Sequence, residues 1–320
     1  MVKKAFSFRE TTLLFMILLM FLIIPFFNPV FATSKNITTT LLGVATKGIL
    51  GIGVTLVLIS GVIDLSVGAL IAVVCSVFGR IFLLTGSIFW GTVAGLIAAL
   101  LGGLINGVLV TRCGLSAFIA TLAMNGIGRG LNMVLTKGTP IKLTALPPEY
   151  RALGSGTLFG IHYVIILFIV LTLIGHFMLK RSKILRQNVY TGSNLKAAAF
   201  SGVKTKKVLL LTFMFSGFLA WIGAQLSVAR FLTASPTFGV GWETELIAAA
   251  VIGGATLTGG EGSIIGMALG LILLGFVSSA IVLLGISVYW QNLISNMILL
   301  LAVLLDAFVE TRKRKRIEAK

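Results

Sequence analysis

A small set of polar and charged side chains interrupts the long apolar stretches of this sequence. The positions that stand out are Asp64, Ser66, Asn106, Asn125, Arg129 and Glu261, with Lys47 as a further charge. A charge well inside an apolar helix costs at least about 2.5–3.5 kcal/mol in a membrane, so Arg129 needs a polar partner or water. Such side chains predict a hydrated route for a polar solute. The alternatives are an ion pair or a snorkelling side chain for Arg129, and helix capping for Asp64 and Glu261.

Two glycine-containing segments break the apolar pattern beside these acids. Residues 60–68 (SGVIDLSVG) surround Asp64, and residues 253–263 (GGATLTGGEGS) place five glycines around Glu261. Glycine breaks helices and exposes backbone groups, which hydrocarbon cannot satisfy but a polar cavity can. We therefore predict that both segments line or gate a pathway. An ordinary turn that caps the next helix is the alternative.

Patterns that usually carry enzymatic chemistry are absent from the sequence. It contains no G-x-x-x-x-G-K-[ST] phosphate loop, no HExxH and no GxSxG, so neither energy-converting nor hydrolytic chemistry is indicated. Cys75 and Cys113 lack the spacing of a disulfide framework or a metal site. We predict a non-catalytic chain that binds no metal or cofactor of its own.

The composition indicates an integral membrane protein. Hydrophobic residues make up 57% and charged residues 11% of the 320-residue chain, and the mean hydropathy is +1.08. Soluble proteins carry roughly 25% charged residues, and so few charges cannot cover a soluble globule. A soluble enzyme is excluded. The net charge of +17 lies in short segments between apolar runs, so it reports topology and not a nucleic-acid partner.

Ten apolar runs approach the roughly 20 residues that a helix needs to cross a bilayer. They are residues 11–31, 41–60, 65–84, 88–111, 116–136, 161–179, 208–229, 245–257, 263–284 and 287–308. The predicted fold class is an all-α integral membrane protein of about ten transmembrane helices, with residues 1–320 as one domain. The eighth run is short and glycine-interrupted, which is typical of a broken or re-entrant helix. The first run is too long for a usual signal peptide, so we predict a retained helix.

Basic residues predict the orientation of these helices. Most lie in three segments: Lys3, Lys4 and Arg9; the loop 180–207; and residues 312–316 with Lys320. The positive-inside rule places all three segments in the cytoplasm, which requires an even number of spans between them. Six spans before the loop and four after it satisfy this rule. Residues 1–10 and 309–320 are therefore predicted as cytoplasmic tails, and both termini face the cytoplasm.

The two halves of the sequence share a spaced pattern of small residues. An offset of 171 superposes Gly91 on Gly262, Gly95 on Gly266, Gly114 on Gly285 and Ser116 on Ser287. In the ten-span topology these halves run in opposite directions, so the pattern predicts an inverted repeat, which is typical of transporters. Close helix packing through GxxxG-spaced glycines is the alternative.

The loop 180–207 contains eight basic residues, no acid and a predicted docking helix. Residues 192–202 (GSNLKAAAFSG) combine small residues with an asparagine cap and a terminal glycine. A small-faced helix can insert into a groove on a partner. If the protein pumps, a separate chain must supply the ATPase, and this loop is its predicted dock. The alternative is a loop that only anchors the chain in the cytoplasm.

Four sequence blocks resemble the permease subunits of bacterial ABC importers of the ribose, galactose, arabinose and xylose type. The blocks are residues 60–68, FIATL (118–122) with RGL (129–131), residues 192–202, and IAAAVIGG (247–254) through GGEGS (259–263). The segment LLLAVLLD (299–306) also fits, so the similarity extends from about residue 41 to residue 306.

This resemblance implies particular partners and a coupling segment. The partners are a second permease subunit, a cytoplasmic ABC ATPase that is usually a tandem polypeptide and that binds ATP and magnesium, and an external sugar-binding protein. Six positions match the segment that contacts the ATPase: Gly192, Asn194, Ala197, Ala198, Ser201 and Gly202.

Together these features predict the permease subunit of an ATP-driven monosaccharide importer in the bacterial cytoplasmic (inner) membrane, with a pentose such as ribose favoured. Nucleosides or autoinducer sugars remain open as solutes, as does the choice between a homodimer and a heterodimer. A stand-alone secondary transporter needs paired carboxylates in its spans, for which Asp64, Glu245 and Glu261 are the candidates. A scaffold or channel would not need the small-residue helix.

Overall fold

The computed structural model describes residues 8–287 and the single positions 290, 293, 294, 297, 300 and 304. The described helices are α1 (Phe8–Phe27), α2 (Ser34–Ile59), α3 (Val67–Thr85), α4 (Ile88–Thr111), α5 (Ala117–Thr136), α6 (Pro148–Ser155), α7 (Tyr163–Arg181), α8 (Lys183–Ser193), α9 (Leu195–Phe200), α10 (Thr205–Phe231), α11 (Trp242–Ile252) and α12 (Ile264–Leu283). A 3-10 helix covers Pro29–Ala32. Short antiparallel ladders pair β1 (Ile141–Lys142) with β4 (Thr233–Ala234), and β2 (Thr157–Leu158) with β3 (Ile161–His162).

Seven of the described helices are long and apolar enough to cross a bilayer, and each coincides with a predicted span. They are α1, α2, α3, α4, α7, α10 and α12. A mostly helical membrane protein is therefore confirmed.

Three further predicted spans do not belong to this set. The span 116–136 forms α5, whose apolar sequence is diluted by Asn125, Arg129 and Asn132. The span 245–257 overlaps α11, which begins and ends earlier, at Trp242 and Ile252, and whose 11 residues cover about 16 Å, against a hydrocarbon core of about 30 Å. The span 287–308 and the tail 309–320 lie outside the described residues, apart from isolated positions.

The basic loop 180–207 is more helical than predicted. α8 occupies Lys183–Ser193, so Gly192 ends one helix and the following helix α9 covers Leu195–Phe200. The short capped helix predicted within residues 192–202 is α9, whereas α8 was not predicted. α8 forms because one of its faces is buried against the bundle: Leu185 and Val189 pack on the hydrophobic core.

The long helix α2 lies at the centre of the described bundle. Most of it from Val44 onward is buried, and it packs against α7, α10, α11 and α12. α4 packs mainly on α10, and α3 packs on α4 and α5. This leaves much of α1, α4 and α5 apolar and exposed, as expected for helices that face lipid or another membrane subunit.

Glycines allow the closest helix crossings. A side chain at Gly103 of α4 would overlap the Phe213 carbonyl of α10, and one at Gly266 of α12 would overlap the Gly253 carbonyl. Small residues at such crossings let helix backbones approach each other in a membrane. The packing explanation for the spaced glycines is confirmed at Gly103 and Gly266.

The offset of 171 residues also relates helix boundaries. Adding 171 to the residue numbers of α2 gives 205–230, which nearly equals the range of α10, Thr205–Phe231. Adding 171 to the residue numbers of α4 gives 259–282, which overlaps most of α12, Ile264–Leu283. α2 and α10 pack antiparallel, because Leu50 lies beside Gly223 while Gly53, further along α2, lies beside Ser216. The two helices related by the offset therefore point in opposite directions.

Candidate functional site

Two irregular segments bring free backbone groups into the bundle. α2 ends at Ile59, Gly61 turns the chain with a φ of 81°, and α3 begins only at Val67. Residues 235–241, between β4 and α11, also belong to no helix or strand. Buried backbone amides and carbonyls need hydrogen-bond partners. The polar side chains of α5 supply many of them.

One face of α5 carries a stripe of polar side chains, spaced by three or four residues: Thr121, Asn125, Arg129 and Asn132. The Leu65 amide donates to Thr121 Oγ1 over 3.0 Å, and Asn125 Nδ2 donates to the Leu65 carbonyl over 2.7 Å. Further along the helix, Asn132 Nδ2 donates to the Pro236 carbonyl over 3.0 Å. α5 therefore holds both irregular segments against the same helix face.

Arg129 lies at the centre of this stripe and binds the second irregular segment. Its Nη1 and Nη2 donate to the carbonyls of Phe238 and Gly239 over 2.6 and 2.7 Å. Nη2 also lies 3.8 Å from Glu243 Oε2, and 22% of the Arg129 side chain is exposed. Arg129 therefore has a carboxylate partner, which is the contact that the ion-pair alternative predicts.

Glu243 connects the stripe to α11 and was missed as a site residue. Besides its contact with Arg129, its Oε1 accepts a hydrogen bond from Asn125 Nδ2 over 3.3 Å. A side chain at Gly68 would overlap this carboxylate, so α3 can approach it only because residue 68 is glycine. The predicted span began at residue 245, which left Glu243 just outside the search for charges in apolar segments. The sequence did contain a signal for this site residue, because Glu243 is an acid only two residues before the start of the predicted span.

Asp64 organises the first irregular segment. Its Oδ1 accepts hydrogen bonds from the Ser66 amide over 2.8 Å and from Ser66 Oγ over 2.7 Å. Asn106 Nδ2 of α4 donates to the same Ser66 Oγ over 2.7 Å. Asp64, Ser66 and Asn106 are 3%, 4% and 1% exposed, and Asn106 Oδ1 has no partner among the described residues.

Five of the six predicted pathway residues therefore lie in one region. Leu65, which binds Asn125, stands between Asp64 and Ser66 in the chain, so the Asp64–Ser66–Asn106 chain adjoins the α5 stripe. We call these residues and Glu243 the polar cluster: Asp64, Ser66, Asn106, Asn125, Arg129 and Glu243. It is formed by the 60–66 segment, α4, α5 and α11.

Glu261 lies apart from the polar cluster, in the second glycine-rich segment. This segment packs against the end of α2: the Gly260 amide donates to the Ile59 carbonyl over 2.8 Å. Side chains at Gly259 and Gly192 would overlap the backbone of Gly61 and Ile59, respectively. The glycines therefore form a close junction between α2, α8 and the segment that holds Glu261.

The predicted coupling residues surround α9. Asn194 caps the helix by accepting from the Ala197 amide over 2.9 Å, and Gly202 ends it with a φ of 85°. Ala198 is 6% exposed, whereas Phe200 is 92% exposed. The buried side of α9 thus carries Ala198, and the outer side presents an aromatic ring that the search for small residues did not single out.

A buried amide connects α8 to α2 and α10. Asn188 Oδ1 of α8 accepts hydrogen bonds from Ser60 Oγ over 3.1 Å and from Thr212 Oγ1 over 2.7 Å. Ser60 precedes Asp64 by four residues in the segment that breaks the helix. α8 and the polar cluster are therefore attached to the same short stretch of chain.

A second ion pair lies outside the polar cluster. Lys47 Nζ of α2 is 2.5 Å from Glu245 Oε2 of α11, and both side chains are 25% exposed. Lys47 also lies 5.6 Å from the centre of the Trp242 ring. Glu245, one of the carboxylates considered for ion coupling, thus has a basic partner. Within the described residues, no three His, Cys, Asp or Glu side chains are placed to hold a metal.

Comparison with known proteins identifies a family that covers most of the chain. Residues 36–303 match the family described as the permease component of branched-chain amino acid transport systems. Ribose import permease protein RbsC of Escherichia coli (strain K12) is 33% identical over 305 residues, which is 95% of this chain and 95% of RbsC. No solved structure gives a significant match.

Two other relatives are named for different solutes. The L-arabinose ABC transporter permease protein AraH of Azospirillum brasilense is 32% identical over 89% of this chain and 84% of its own length. The autoinducer 2 import system permease protein LsrC of Escherichia coli (strain SMS-3-5 / SECEC) is 32% identical over 93% and 86%. The resemblance to sugar-importer permeases is confirmed, and with the seven apolar helices it indicates a multi-pass protein of the inner membrane.

Proposed function

Because the chain belongs to the permease-component family of branched-chain-type transport systems, we propose that it is the membrane subunit of an ATP-driven importer for a pentose such as ribose. The observation that carries the substrate class is the near full-length match to RbsC. The chain itself performs no covalent chemistry in this proposal. ATP and magnesium bind to a partner ATPase, and an external binding protein delivers the sugar.

The transmembrane arrangement proposed here has ten spans, with both termini in the cytoplasm. In this arrangement α5 and α11 are two further spans beside the seven apolar helices, which makes nine spans among the described residues. The tenth span is assigned to residues 287–308. Helices related by the 171-residue offset form an inverted repeat, which is supported by the antiparallel packing of α2 and α10. Inverted repeats place a solute path between the two halves.

The polar cluster is the proposed wall of that path. It combines two carboxylates, an arginine, two amides and a hydroxyl, which are groups that can form hydrogen bonds with the hydroxyls of a neutral sugar. Most of these groups already have internal partners, so we expect weak solute binding. Weak binding suits a permease, because the solute must leave the path as readily as it enters. Selectivity then belongs largely to the external binding protein.

Coupling is assigned to α9 and the residues around it. In this proposal the exposed face of α9, including Phe200, contacts a groove of the ATPase, which is usually a tandem polypeptide. Two permease subunits bind the two nucleotide-binding modules. ATP binding brings the two coupling helices together, and Asn188 transmits the displacement to Ser60 and the segment that carries Asp64. Hydrolysis resets the arrangement.

A secondary transporter is disfavoured by the contacts of the candidate carboxylates. Asp64 accepts two hydrogen bonds from Ser66, and Glu245 forms an ion pair with Lys47. Asp64 and Glu245 therefore lie in separate regions, and the second carboxylate of the polar cluster, Glu243, faces Arg129 at 3.8 Å. The cluster thus holds no uncompensated carboxylate pair of the kind that proton or sodium coupling needs.

Reconstitution tests the proposed function. The permease is placed in proteoliposomes with the ATPase and binding protein of its own organism, and uptake of labelled ribose is measured with and without internal ATP. We expect ATP-dependent uptake that excess unlabelled ribose suppresses. ATP-independent uptake driven by a proton or sodium gradient would contradict the ABC assignment. Uptake suppressed by autoinducer 2 or arabinose but not by ribose would leave the class intact and change the substrate.

A further inference from the structure

A cavity of about 820 Å³ lies between α8 and the first turns of α10. Its wall includes Leu185 and Asn188 of α8, and Lys204, Lys207, Leu211 and Phe215 at the start of α10. A volume of this size is in the range of cavities that hold small-molecule ligands. The polar cluster contributes none of the residues that line it.

The lining changes from basic to apolar along α10. Lys204 and Lys207 lie at the end of the helix, and Leu211 and Phe215 follow at a spacing of four residues on the same face. Leu211 and Phe215 are 47% and 38% exposed. The distance from Lys204 to Phe215 is about 16 Å by helical rise, and α10 is one of the helices able to cross the bilayer. The apolar end of the cavity therefore lies at hydrocarbon depth and the basic end at the membrane surface.

Three nitrogen donors that line the cavity, on Lys204, Lys207 and Asn188, have no acceptor among the described residues. Lys204 and Lys207 form no ion pair with a carboxylate among the described residues, and their loop contains no acid. Asn188 is 3% exposed, and its Oδ1 accepts both hydrogen bonds of the side chain, from Ser60 and Thr212. Its amide NH₂ group is thus left without a partner in the described part of the chain. Two cations and a buried donor together select an anion.

We propose that this cavity binds an anionic phospholipid. The phosphate is held by Lys204 and Lys207 and reached by the Asn188 amide, while an acyl chain lies along Leu211 and Phe215. Basic pockets between membrane helices are suited to anionic headgroups. A segment of a soluble partner does not fit the inner part of the cavity, because its backbone polar groups would be unsatisfied at hydrocarbon depth.

The position of the lipid gives it a role in coupling. Asn188 holds α8 to Ser60 of α2 and to Thr212 of α10, and the lipid fills the space beside that joint. A bound lipid therefore stiffens the connection between α9 and the membrane helices. This inference does not depend on which solute the permease carries.

Lipid binding to the purified protein tests the proposal. We compare phosphatidylglycerol with phosphatidylcholine, using native mass spectrometry and the rise in unfolding temperature in neutral detergent. The double variant Lys204→Gln/Lys207→Gln should bind phosphatidylglycerol about 25-fold more weakly, since each lysine near an anionic headgroup contributes about fivefold. The matched control is Lys196→Gln/Lys206→Gln, which removes the same charge from exposed positions of the same loop that do not line the cavity.

A third variant tests the apolar half of the site. Leu211→Trp fills the space for the acyl chain and should reduce binding of both lipids, with the folded state verified by size-exclusion chromatography. Three results would overturn the proposal: equal weakening by the control pair, no preference for phosphatidylglycerol, or the same stabilisation by inorganic phosphate. Unchanged lipid binding together with weakened ATPase binding in the Lys204→Gln/Lys207→Gln variant would reassign the cavity to the ATPase and also overturn it.

Discussion

The carboxylate of Glu243 lies 3.8 Å from Arg129 Nη2 and joins the first turn of α11 to the middle of α5. The same arginine binds the carbonyls of Phe238 and Gly239, so the contact fixes both the helix and the segment that leads into it. With only 14% of the Glu243 side chain exposed, the pair is largely removed from solvent. A charge that apolar surroundings would exclude is thereby retained in the membrane part of the protein.

Glu243→Gln should destabilise the folded protein. Arg129 keeps its charge but loses the opposite charge, and breaking a buried pair on one side typically lowers the free energy of unfolding by about 3 kcal/mol. Chemical unfolding in detergent micelles measures this change. The control is Glu149→Gln on α6, where the side chain is exposed.

The double variant Arg129→Gln/Glu243→Gln separates the ion pair from the other contacts of these residues. If the two charges interact, the double variant is less destabilised than the sum of the single variants. Additive effects, or a Glu243→Gln protein as stable as the Glu149→Gln control, would show that the pair contributes nothing.

Asp64→Asn tests the proposed pathway. The amide oxygen of asparagine can still accept the hydrogen bonds from Ser66, so we expect a normal yield of monodisperse protein. Sugar uptake by the assembled importer should fall about tenfold or more, because the second carboxyl oxygen, which can accept a hydrogen bond from a sugar hydroxyl, is replaced by an NH₂ donor. The sugar affinity of the separate binding protein should not change. Lost yield would show that Asp64 is a structural cap, and unchanged uptake would remove it from the pathway.

The sequence alone identified most of the polar cluster because those side chains conflict with their surroundings. A charge or amide in an apolar helix stands out by residue type, which is how Asp64, Asn106, Asn125 and Arg129 were found. Glu243 was missed for the opposite reason: it lies two residues before the predicted span, in the first turn of α11, where an acid is ordinary. Its importance arises from Gly239 and Gly68, which bring α11 and α3 close to α5.

The loop 180–207 shows a different limit of sequence analysis. The asparagine cap and terminal glycine predicted the ends of α9 correctly, because capping depends on local residues. α8 was not predicted, since it depends on tertiary burial of Leu185 and Val189 against the bundle. Which side of α9 faces outward likewise depends on packing and not on the run of small residues.

Phe200→Glu tests the proposed ATPase contact. The ring is 92% exposed, so the charge should not disturb folding of the permease, but it should block an apolar contact with the partner. We expect normal membrane insertion together with loss of ATPase stimulation in proteoliposomes. Ala198→Glu is a weaker test, because Ala198 is buried within the permease and its replacement would disturb α9.

The matched control for this contact is Phe159→Glu. Phe159 is 96% exposed, and it lies in the turn between β2 and β3, far along the chain from α9. If both variants, or neither, impair ATPase stimulation, the docking assignment to α9 fails.

Cysteine labelling tests the proposed topology. The exposed native Cys113 is first replaced by serine, and single cysteines are then introduced at Ser193 and Thr144. A membrane-impermeant maleimide should label residue 193 only in inverted vesicles and residue 144 only in right-side-out vesicles. Labelling of residue 144 from the cytoplasmic side would contradict the ten-span arrangement.

Gly192→Ala should weaken the junction between α8, α2 and the segment 253–263. A Cβ at this position would overlap the Ile59 carbonyl, and the Gly260 and Gly61 amides lie nearby. Backbone atoms cannot move aside as a flexible side chain can, so the substitution should lower the free energy of unfolding by about 1–3 kcal/mol. Because this junction leads from α8 to the segment that carries Asp64, coupled uptake should fall further than stability alone explains.

Gly43→Ala on α2 is the control: its Cβ meets open space, and alanine in a helix interior should stabilise the protein by about 0.5–1 kcal/mol. Equal stability of the two variants would show that α8 can move away from α2, and the proposed transmission route would then be wrong.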